Sequence, residues 1–495
     1  MLHLKLPYDC VHEICLQLDS DIQSLYSCML IDRNWCRAAI RFLWKHPFGN
    51  ETHVAPEKSL RNVLDIYLCF LTNEQKLRLD RHLSHSIFTS DQFNQVLLFP
   101  YPQFLKAIST SGVIRSVQIW LGHRKLRSGY WEINVQTLWE ELAQILISQP
   151  HCIHEFSSNH LFYIKHHPFN LFKFNLENDF NSSLRTLRKL YFHGKYPKSE
   201  LLRHVGDVST QLELLYVEFL SSQDDCESLG FLIRKQNKLQ RFLLSDVAND
   251  YGVYHFLRGL DLSITNTLNN TISEVAFQNV NFKNSSLLSL LNYFPYIKSF
   301  AVIFCRNLNL KSDFSDPHDL QICKRLRILK IIHTLVNTRD MNILLKQAGE
   351  ELLEFKLHGW TTRRIPTILQ SVTMYSPNLR TLAFPLHSNF CGVNKMLRGR
   401  TQLQRLTLCR DVYRTTALYS AVNVDSYLIS FGASLPKGIK RIDVDCYWKF
   451  RQSTLKKFFE VSPKSLECLT FGNSVEMRRE GINVLLDIEN KSQVI

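Results

Sequence analysis

The chain has 495 residues, of which 45% are hydrophobic and 21% charged, with only 17 glycines and 15 prolines. This composition is typical of an ordered globular protein and excludes collagen-like and low-complexity chains. The sequence contains no run of about 18 apolar residues, so no membrane-spanning helix is expected. Its start lacks an apolar secretory stretch, and the 13 cysteines are therefore expected to be reduced thiols in the cytoplasm, the nucleus or both.

The formal net charge is +14, and all of the excess lies beyond the first 48 residues, which contain equal numbers of basic and acidic residues. A basic protein favours acidic partners such as nucleic acid, anionic lipid, or acidic and phosphorylated peptides. The densest basic cluster, His123, Arg124, Lys125 and Arg127, is predicted to lie in a loop. Elsewhere the lysines and arginines are spread singly, which favours a solvated surface over a nucleic-acid-binding stripe.

The cysteines and histidines form no quartet with the spacing of a zinc site, so no metal is expected. The sequence also contains no phosphate-binding loop, no dinucleotide-binding glycine motif and no nucleophile elbow. We therefore expect a non-catalytic protein without a cofactor.

The first 48 residues predict three short helices. Pro7 is expected to open the first, Ser20 and Asp21 the second, and Asn34 the third. The apolar faces are Val11, Ile14, Cys15 and Leu18, then Leu25, Cys28 and Met29, and then Trp35, Ala38, Ala39, Phe42 and Leu43. A domain of about 45 residues is close to the lower limit for an independent core. The remaining apolar residues at the entry, Leu6 and Pro7, need a covering surface, either in this chain or in another subunit.

This segment resembles an F-box. The resemblance rests on the Leu6-Pro7 opening and on the run from Cys28 to Cys36, which is similar to the Cys-Leu-Leu-Val-Asn-Arg-x-Trp-Cys form of large fungal F-box families, with Asp32 in place of the usual Asn. The resemblance implies docking on a Skp-type adaptor, and through it on a cullin–RING ubiquitin ligase. The residues expected to build or present that docking site are Leu6, Pro7, Val11, Ile14, Leu18, Leu25, Cys28 and Trp35.

Residues 49–112 show no repeat and are expected to form a helical linker that caps the following array. One amphipathic helix is predicted from Leu60 to Leu71, and another around Phe104, Leu105 and Ile108.

From about residue 113 the chain repeats. An apolar-x-x-apolar-x-apolar pattern begins at Leu187, Leu212, Leu239, Ile272, Ile297, Leu326, Leu352, Leu379, Leu403, Ile439 and Leu466, with weaker candidates at Ile114 and Ile153. Successive starts lie 24 to 36 residues apart, and most intervals fall in the range of about 20 to 29 that leucine-rich repeats show. Residues 113–495 resemble the repeat half of F-box/leucine-rich-repeat proteins. The predicted fold is therefore α/β, an irregular solenoid with parallel strands on its concave face and helices on its convex face.

The concave face of a solenoid is the default recognition surface of repeat proteins. Residues between and after the repeated apolar positions should point to it. The candidates for binding a substrate protein are Lys189, Tyr191, His193, Tyr216, Arg241, Lys330, Lys356, His358, Arg405 and Arg441.

The first hypothesis is thus a substrate-recognition subunit of an SCF-type ubiquitin ligase, whose unknown substrate protein is acidic or phosphorylated. The alternative is a basic leucine-rich-repeat scaffold that binds RNA or acidic partners and carries a degenerate F-box.

Overall fold

The structure is a computed structural model of the whole chain. The residues it describes are 6–49, 55–83, 87–88, 93, 96–124, 131–148, 152–158, 183–194, 198–247, 250, 252–261, 271–283, 291, 293–308, 324–359, 365–386, 391–398, 400, 402–409, 422–445, 448–471 and 475–478.

The chain divides into two compact units, Met1–Phe219 with Phe231–Leu239, and Leu220–Gly230 with Gln240–Ile495. The first unit contains α1 (Tyr8–Gln17), α2 (Ile22–Met29), α3 (Arg33–Leu43), α4 (Glu57–Leu68), α5 (Asn73–Leu83), β1 (Ala107–Ser109), α6 (Thr110–His123), α7 (Trp131–Ser148), β2 (Glu155–Ser158), β3 (Lys189–Phe192), α8 (Ser199–Val208) and β4 (Leu214–Glu218). Its four strands pair in chain order, all parallel. Helix α9 (Gln223–Arg234) contributes residues to both units.

The second unit contains β5 (Arg241–Ser245), α10 (Gly252–Asp261), β6 (Glu274–Gln278), β7 (Ser299–Ile303), β8 (Ile328–Ile332), α11 (Thr338–Ala348), β9 (Glu354–His358), α12 (Ile365–Tyr375), β10 (Thr381–Pro385), α13 (Cys391–Leu397), β11 (Arg405–Cys409), β12 (Val422–Asn423), α14 (Asp425–Ser434), β13 (Arg441–Val444), β14 (Trp448–Lys449), α15 (Gln452–Val461), β15 (Cys468–Phe471) and β16 (Val475–Arg478). Its main sheet is parallel from β5 to β15, and β16 pairs antiparallel with β15. The short strands β12 and β14 form a separate pair.

The predicted repeats are confirmed at the level of the strand. Each of the strands that follow the eleven strong patterns begins two residues after the first apolar residue, as β8 does after Leu326 and β11 after Leu403. Along β8, β9 and β13, buried positions alternate with half-buried ones, whereas β7, β10 and β15 have three or more consecutive buried residues. Parallel strands in chain order, most with a helix between them, make the fold an α/β leucine-rich-repeat solenoid.

The turn after the strand keeps the same backbone conformation in several repeats, although the residue at that position varies. In seven successive repeats one residue shortly after the strand has a positive φ, and these residues are Gly194, Phe219, Asp246, Asn279, Phe304, His333 and Gly359. Only two are glycine, although this conformation disfavours residues with a side chain. The turns after β7 and β8 are also joined by a side chain. The buried Thr334 hydroxyl accepts a hydrogen bond from the Cys305 backbone N–H at 3.0 Å.

The three N-terminal helices form where they were predicted, with one difference in capping. Asp21 caps α2 by accepting a hydrogen bond from the Ser24 backbone N–H at 3.0 Å. The cap of α3 is Asp32 rather than Asn34, because the Asp32 carboxylate accepts from the N–H groups of Asn34 and Trp35 at 2.7 and 3.0 Å. Aspartate is as good a helix cap as asparagine, so its presence at this position preserves the local structure.

The end of the three-helix module is hydrogen-bonded to the first strand of the sheet. The carbonyl oxygen of Lys45 accepts hydrogen bonds from the N–H groups of Lys106 and Ala107, at 3.0 and 3.1 Å. In the same way, the carbonyl oxygen of Lys106 accepts hydrogen bonds from the N–H groups of both His154 and Glu155, at 2.8 and 3.1 Å. Lys45 therefore occupies the position beside β1 that the strand of a preceding repeat would fill.

Two sequence predictions in this region are wrong, and a third is tested only in part. The pattern at Ile114 lies inside α6 and marks no strand. The residues predicted as a helix, Phe104, Leu105 and Ile108, instead span the end of a short 3-10 helix (Tyr101–Phe104) and β1. Of the basic cluster, His123 ends α6 and Arg124 lies 4.7 Å over the Trp120 ring, whereas Lys125 and Arg127 lie outside the described residues. Among the helices that the structure describes, none is both long enough and apolar enough to cross a membrane.

Candidate interaction surfaces

The three-helix module has a small core and an unusually apolar outside. Val11, Cys15 and Leu25 are at most 1% exposed and pack with Cys28, Ala38 and Ala39. On the outside of α2, Ile22 is 70% exposed, Tyr26 58% and Leu30, which follows the helix, 71%. These three residues are spaced by four, so they share one side of the helix, which faces away from the buried Cys28. We call Ile22, Tyr26 and Leu30 the apolar stripe.

The predicted adaptor-binding residues divide into two groups. Leu6 and Ile14 are 48% and 39% exposed, and Pro7 is also exposed, so these can touch a partner. The others belong to the core of the module: Val11, Leu25 and Cys28 are buried, and Leu18 and Trp35 are partly buried against them. They shape the module but present little surface.

Neither the apolar stripe nor Ile31, which is 59% exposed, is among the residues predicted from the sequence. A signal was available, because Ile22, Tyr26 and Leu30 repeat at helical spacing on the side that the core pattern of Leu25, Cys28 and Met29 leaves free. A second apolar face on a helix that already has a buried face indicates a partner surface.

The predicted substrate-binding residues all lie on strands of the repeats or directly after them, and all are exposed or half-buried. We call this side of the strands, opposite the buried leucines, the exposed face. In the first unit it carries an aromatic group in which the His193 ring lies 4.8 Å from the Tyr216 ring and 6.4 Å from that of Tyr191. His193 Nδ1 is 3.0 Å from a carboxylate oxygen of Glu218. Lys189, at the start of the same strand, pairs with Glu155 at 3.3 Å.

In the second unit the basic residues of the exposed face are gathered around carboxylates. Lys356 Nζ lies 2.9 Å and Lys330 Nζ 3.6 Å from one oxygen of Glu354, and we call these three residues the lysine cluster. Burial raises the pKa of Glu354, but the hydrogen bond and charge of Lys356 and the charge of Lys330 outweigh it and hold that pKa below its usual value. The carboxylate is therefore ionised at neutral pH.

The arginine cluster consists of Arg405, Arg441 and Asp443. Arg405 contacts Asp443 Oδ2 through Nε and Nη2, both at 2.8 Å, and Arg441 Nε donates to Oδ1 at 2.7 Å. The hydroxyl of Thr470 also donates to Oδ1, at 2.6 Å. Burial raises the pKa of Asp443, but these hydrogen bonds more than compensate and lower it. One carboxylate thus fixes two guanidinium groups on neighbouring strands.

The strand register places the two clusters close together. Thr381 of β10 is paired with Glu354 on one side and with Arg405 on the other. Ala383 of β10 likewise adjoins Lys356. The clusters are therefore separated by a single strand, β10, which places the half-buried Thr381 and the fully buried Ala383 at these register positions.

The remaining two candidates are members of neither cluster, although His358 follows Lys356 by two residues on β9. Arg241 is exposed on β5 and is paired in register with Glu274. His358 Nε2 lies 3.0 Å from the Cys409 sulfur, and burial together with the charge of His333 lowers the pKa of His358.

A cavity of about 670 Å³ lies where strands β5 to β8 end, and no sequence pattern indicated it. Phe304 and His333, both residues of positive φ, stack at its side with ring centroids 4.6 Å apart. Phe304 and Leu335 are 52% and 57% exposed there. Within the described part of the chain, no group of three or more potential ligand side chains is placed to hold a metal.

No protein-family model matches the chain, and no curated protein matches it. Among solved structures, the leucine-rich repeat-containing protein LegL7 from Legionella pneumophila matches at 12% sequence identity with a TM-score of 0.33, covering 62% of this chain and 92% of its own. The yeast complex of Rad7 and Elc1 matches at 13% identity with a TM-score of 0.35, covering 59% of this chain and 79% of the matched chain. These values are too low for either likeness to assign a function or a partner.

Proposed function

We propose that the chain is a substrate-recognition subunit of an SCF-type cullin–RING ubiquitin ligase. In this proposal α1–α3 dock on a Skp-type adaptor, and the exposed face of the repeats binds a substrate protein. The observation that carries the proposal is the apolar stripe. Its three residues, each more than half exposed, sit on a module whose sequence resembles an F-box.

The three-helix module is too small to bury all of its apolar side chains. Exposed apolar side chains such as Ile22 and Leu30 contribute nothing to the core beneath them. Covering each of them would contribute roughly 1.5 to 3 kcal/mol to association. Large apolar side chains that share one face of a surface helix mark an interaction site.

The chain itself carries out no bond chemistry in this proposal. It increases the rate of ubiquitin transfer by holding a substrate near the charged conjugating enzyme, which raises the effective concentration of substrate lysines. The hydrogen bonds that the Lys45 carbonyl accepts from Lys106 and Ala107 support this role, because they fix the docking module to the first strand of the repeats.

The test is co-purification of the full chain with a co-expressed Skp-type adaptor. We expect Ile22→Asp/Leu30→Asp to abolish capture, because two charges would have to be buried in an apolar interface. Met374→Asp is the matched control, since Met374 is a 72% exposed apolar residue on α12. Capture that survives the double substitution, or no capture of the adaptor by the wild type, contradicts the proposal.

The alternative, an RNA-binding scaffold with a degenerate F-box, makes a different prediction in the same preparation. Binding of RNA through six or more phosphates would fall by about 10³-fold or more between about 50 and 200 mM salt. The carboxylates placed among the cations, Glu354 and Asp443, argue against a phosphate-binding surface there. Steeply salt-dependent RNA binding without adaptor capture would favour this alternative.

A further inference from the structure

We infer that the lysine and arginine clusters together bind a carboxylate-rich segment of the partner protein, with one Asp or Glu side chain at each cluster. The inference rests on the proposed role of the exposed face as the substrate-binding surface and specifies the chemistry of that substrate.

Both clusters have a net positive charge. Each cluster contains two cations and one ionised carboxylate, so its three side chains together carry one positive charge. The cations are also accessible: the side chain of Arg405 is 52% exposed, and those of Lys330 and Lys356 are 34% and 32% exposed. The carboxylates lie deeper, with Asp443 16% and Glu354 23% exposed. An incoming group therefore meets positive charge first.

The cations of both clusters are preorganised. Holding a flexible basic side chain in one geometry costs conformational entropy when a ligand binds. Asp443 already fixes Arg405 through two contacts of 2.8 Å, and Glu354 already fixes Lys356 at 2.9 Å. The carboxylates thus position the cations before the partner arrives, so less ordering remains to be done on binding.

The net charge of each cluster matches a carboxylate better than a phosphate group. A carboxylate carries one negative charge, which matches the one net positive charge of a cluster. A phosphate group carries about −1.5 to −2 at neutral pH, so it would leave negative charge beside Asp443 or Glu354. The matching of charges therefore favours Asp and Glu side chains over phosphorylated ones.

The spacing of the two clusters follows from the strand order. Neighbouring strands lie about 4.8 Å apart, and Lys356 and Arg405 are on strands two steps apart, β9 and β11. Lys330 on β8 is one step further. The two clusters are therefore about 10 to 14 Å apart. In an extended chain, side chains at positions i and i+4 point the same way and lie about 13 Å apart.

The inference predicts a spacing rule that can be tested on the full chain without the adaptor. The probes are seven-residue serine- and threonine-based peptides with glutamates at positions 2 and 6, or at positions 2 and 3, which have equal charge. We expect the 2,6 peptide to bind at least about fivefold more tightly by ligand-observed NMR at low salt. The 2,6 peptide with phosphoserines in place of glutamates should bind more weakly than the glutamate form.

Two double substitutions test the assignment to residues. Arg405→Gln/Lys356→Gln should reduce affinity for the 2,6 peptide about tenfold or more and abolish the preference for that spacing. Lys456→Gln/Lys457→Gln on α15 removes the same charge from exposed positions outside the clusters and should change the affinity less than about twofold. Thermal unfolding checks that both variants remain folded, and both should still capture the Skp-type adaptor.

Equal binding of the two glutamate peptides, tighter binding of the phosphoserine peptide, or equal effects of the two double substitutions would each overturn the inference. None of these results would alter adaptor capture, so failure here is distinguishable from failure of the proposed function.

Discussion

The three-helix module and the exposed face of the second unit are both accessible to solvent, but they are built on opposite physical principles. The module exposes large apolar side chains, such as Ile22 and Leu30, over a core of very few residues. The exposed face instead carries cations whose charge is partly compensated by Glu354 and Asp443. An apolar surface suits a constant partner, because burial is strong and undirected. Paired charges give specificity, because a ligand must match their positions.

The largest expected effect is on the stability of the three-helix module, where a core substitution and a surface substitution should differ. Leu25→Ala removes a 1% exposed side chain from this small core and should lower the free energy of unfolding of the module by about 2 to 5 kcal/mol. Ile22→Ala, at a 70% exposed position of the same helix, should change it by less than about 0.5 kcal/mol. Both should weaken adaptor capture, and hydrogen exchange of the α1–α3 amides distinguishes the two causes. Similar exchange in the two variants would show that the module has no separable surface.

A smaller effect is expected where the helices of the second unit pack closely. A Cβ added to Gly230 would lie 2.6 Å from the carbonyl carbon of Gly259, a backbone atom that cannot easily move. Gly230→Ala should therefore destabilise the repeats by about 1 to 3 kcal/mol. Gly392→Ala, in a helix where nothing lies within 4 Å of the added carbon, should stabilise them slightly. Thermal unfolding measures both, and equal effects would contradict the packing argument.

The smallest effect concerns the arginine cluster and depends on pH. The pKa of Asp443 is lowered from its ordinary value of 3.8, so its stabilising effect is complete above that pH and is lost as the pH falls through the lower folded-state value. Because both arginines are about half exposed, Asp443→Asn should cost no more than about 1 kcal/mol at pH 7. The difference in melting temperature between the two proteins should shrink below about pH 4. A difference that does not depend on pH would mean that the carboxylate charge is unimportant.

The strands could be predicted from the sequence because period-two burial leaves a local pattern, as in Leu326, Leu329 and Ile331. The pattern at Ile114 failed because the same spacing also fits one face of a helix, and α6 is such a helix. The first strand was missed because β1 has only three residues, Ala107–Ser109, too few for alternation to show.

The charge clusters could not be predicted as clusters. Arg405 and Asp443 are 38 residues apart and meet only because β11 and β13 pair in one register. A shift of that register by one residue would send one of them to the opposite face. The sequence therefore identified residues of the exposed face, but not that Glu354 and Asp443 hold the basic ones in clusters.

The contact of Lys45 with Lys106 and Ala107 has a consequence for how the protein can be cut. In a shortened chain that starts after the module, the outer edge of the first strand would lose its hydrogen-bonding neighbour. An unpaired strand edge tends to pair with other chains. Such a fragment should self-associate, so the opening helices protect the array against aggregation as well as presenting a docking surface.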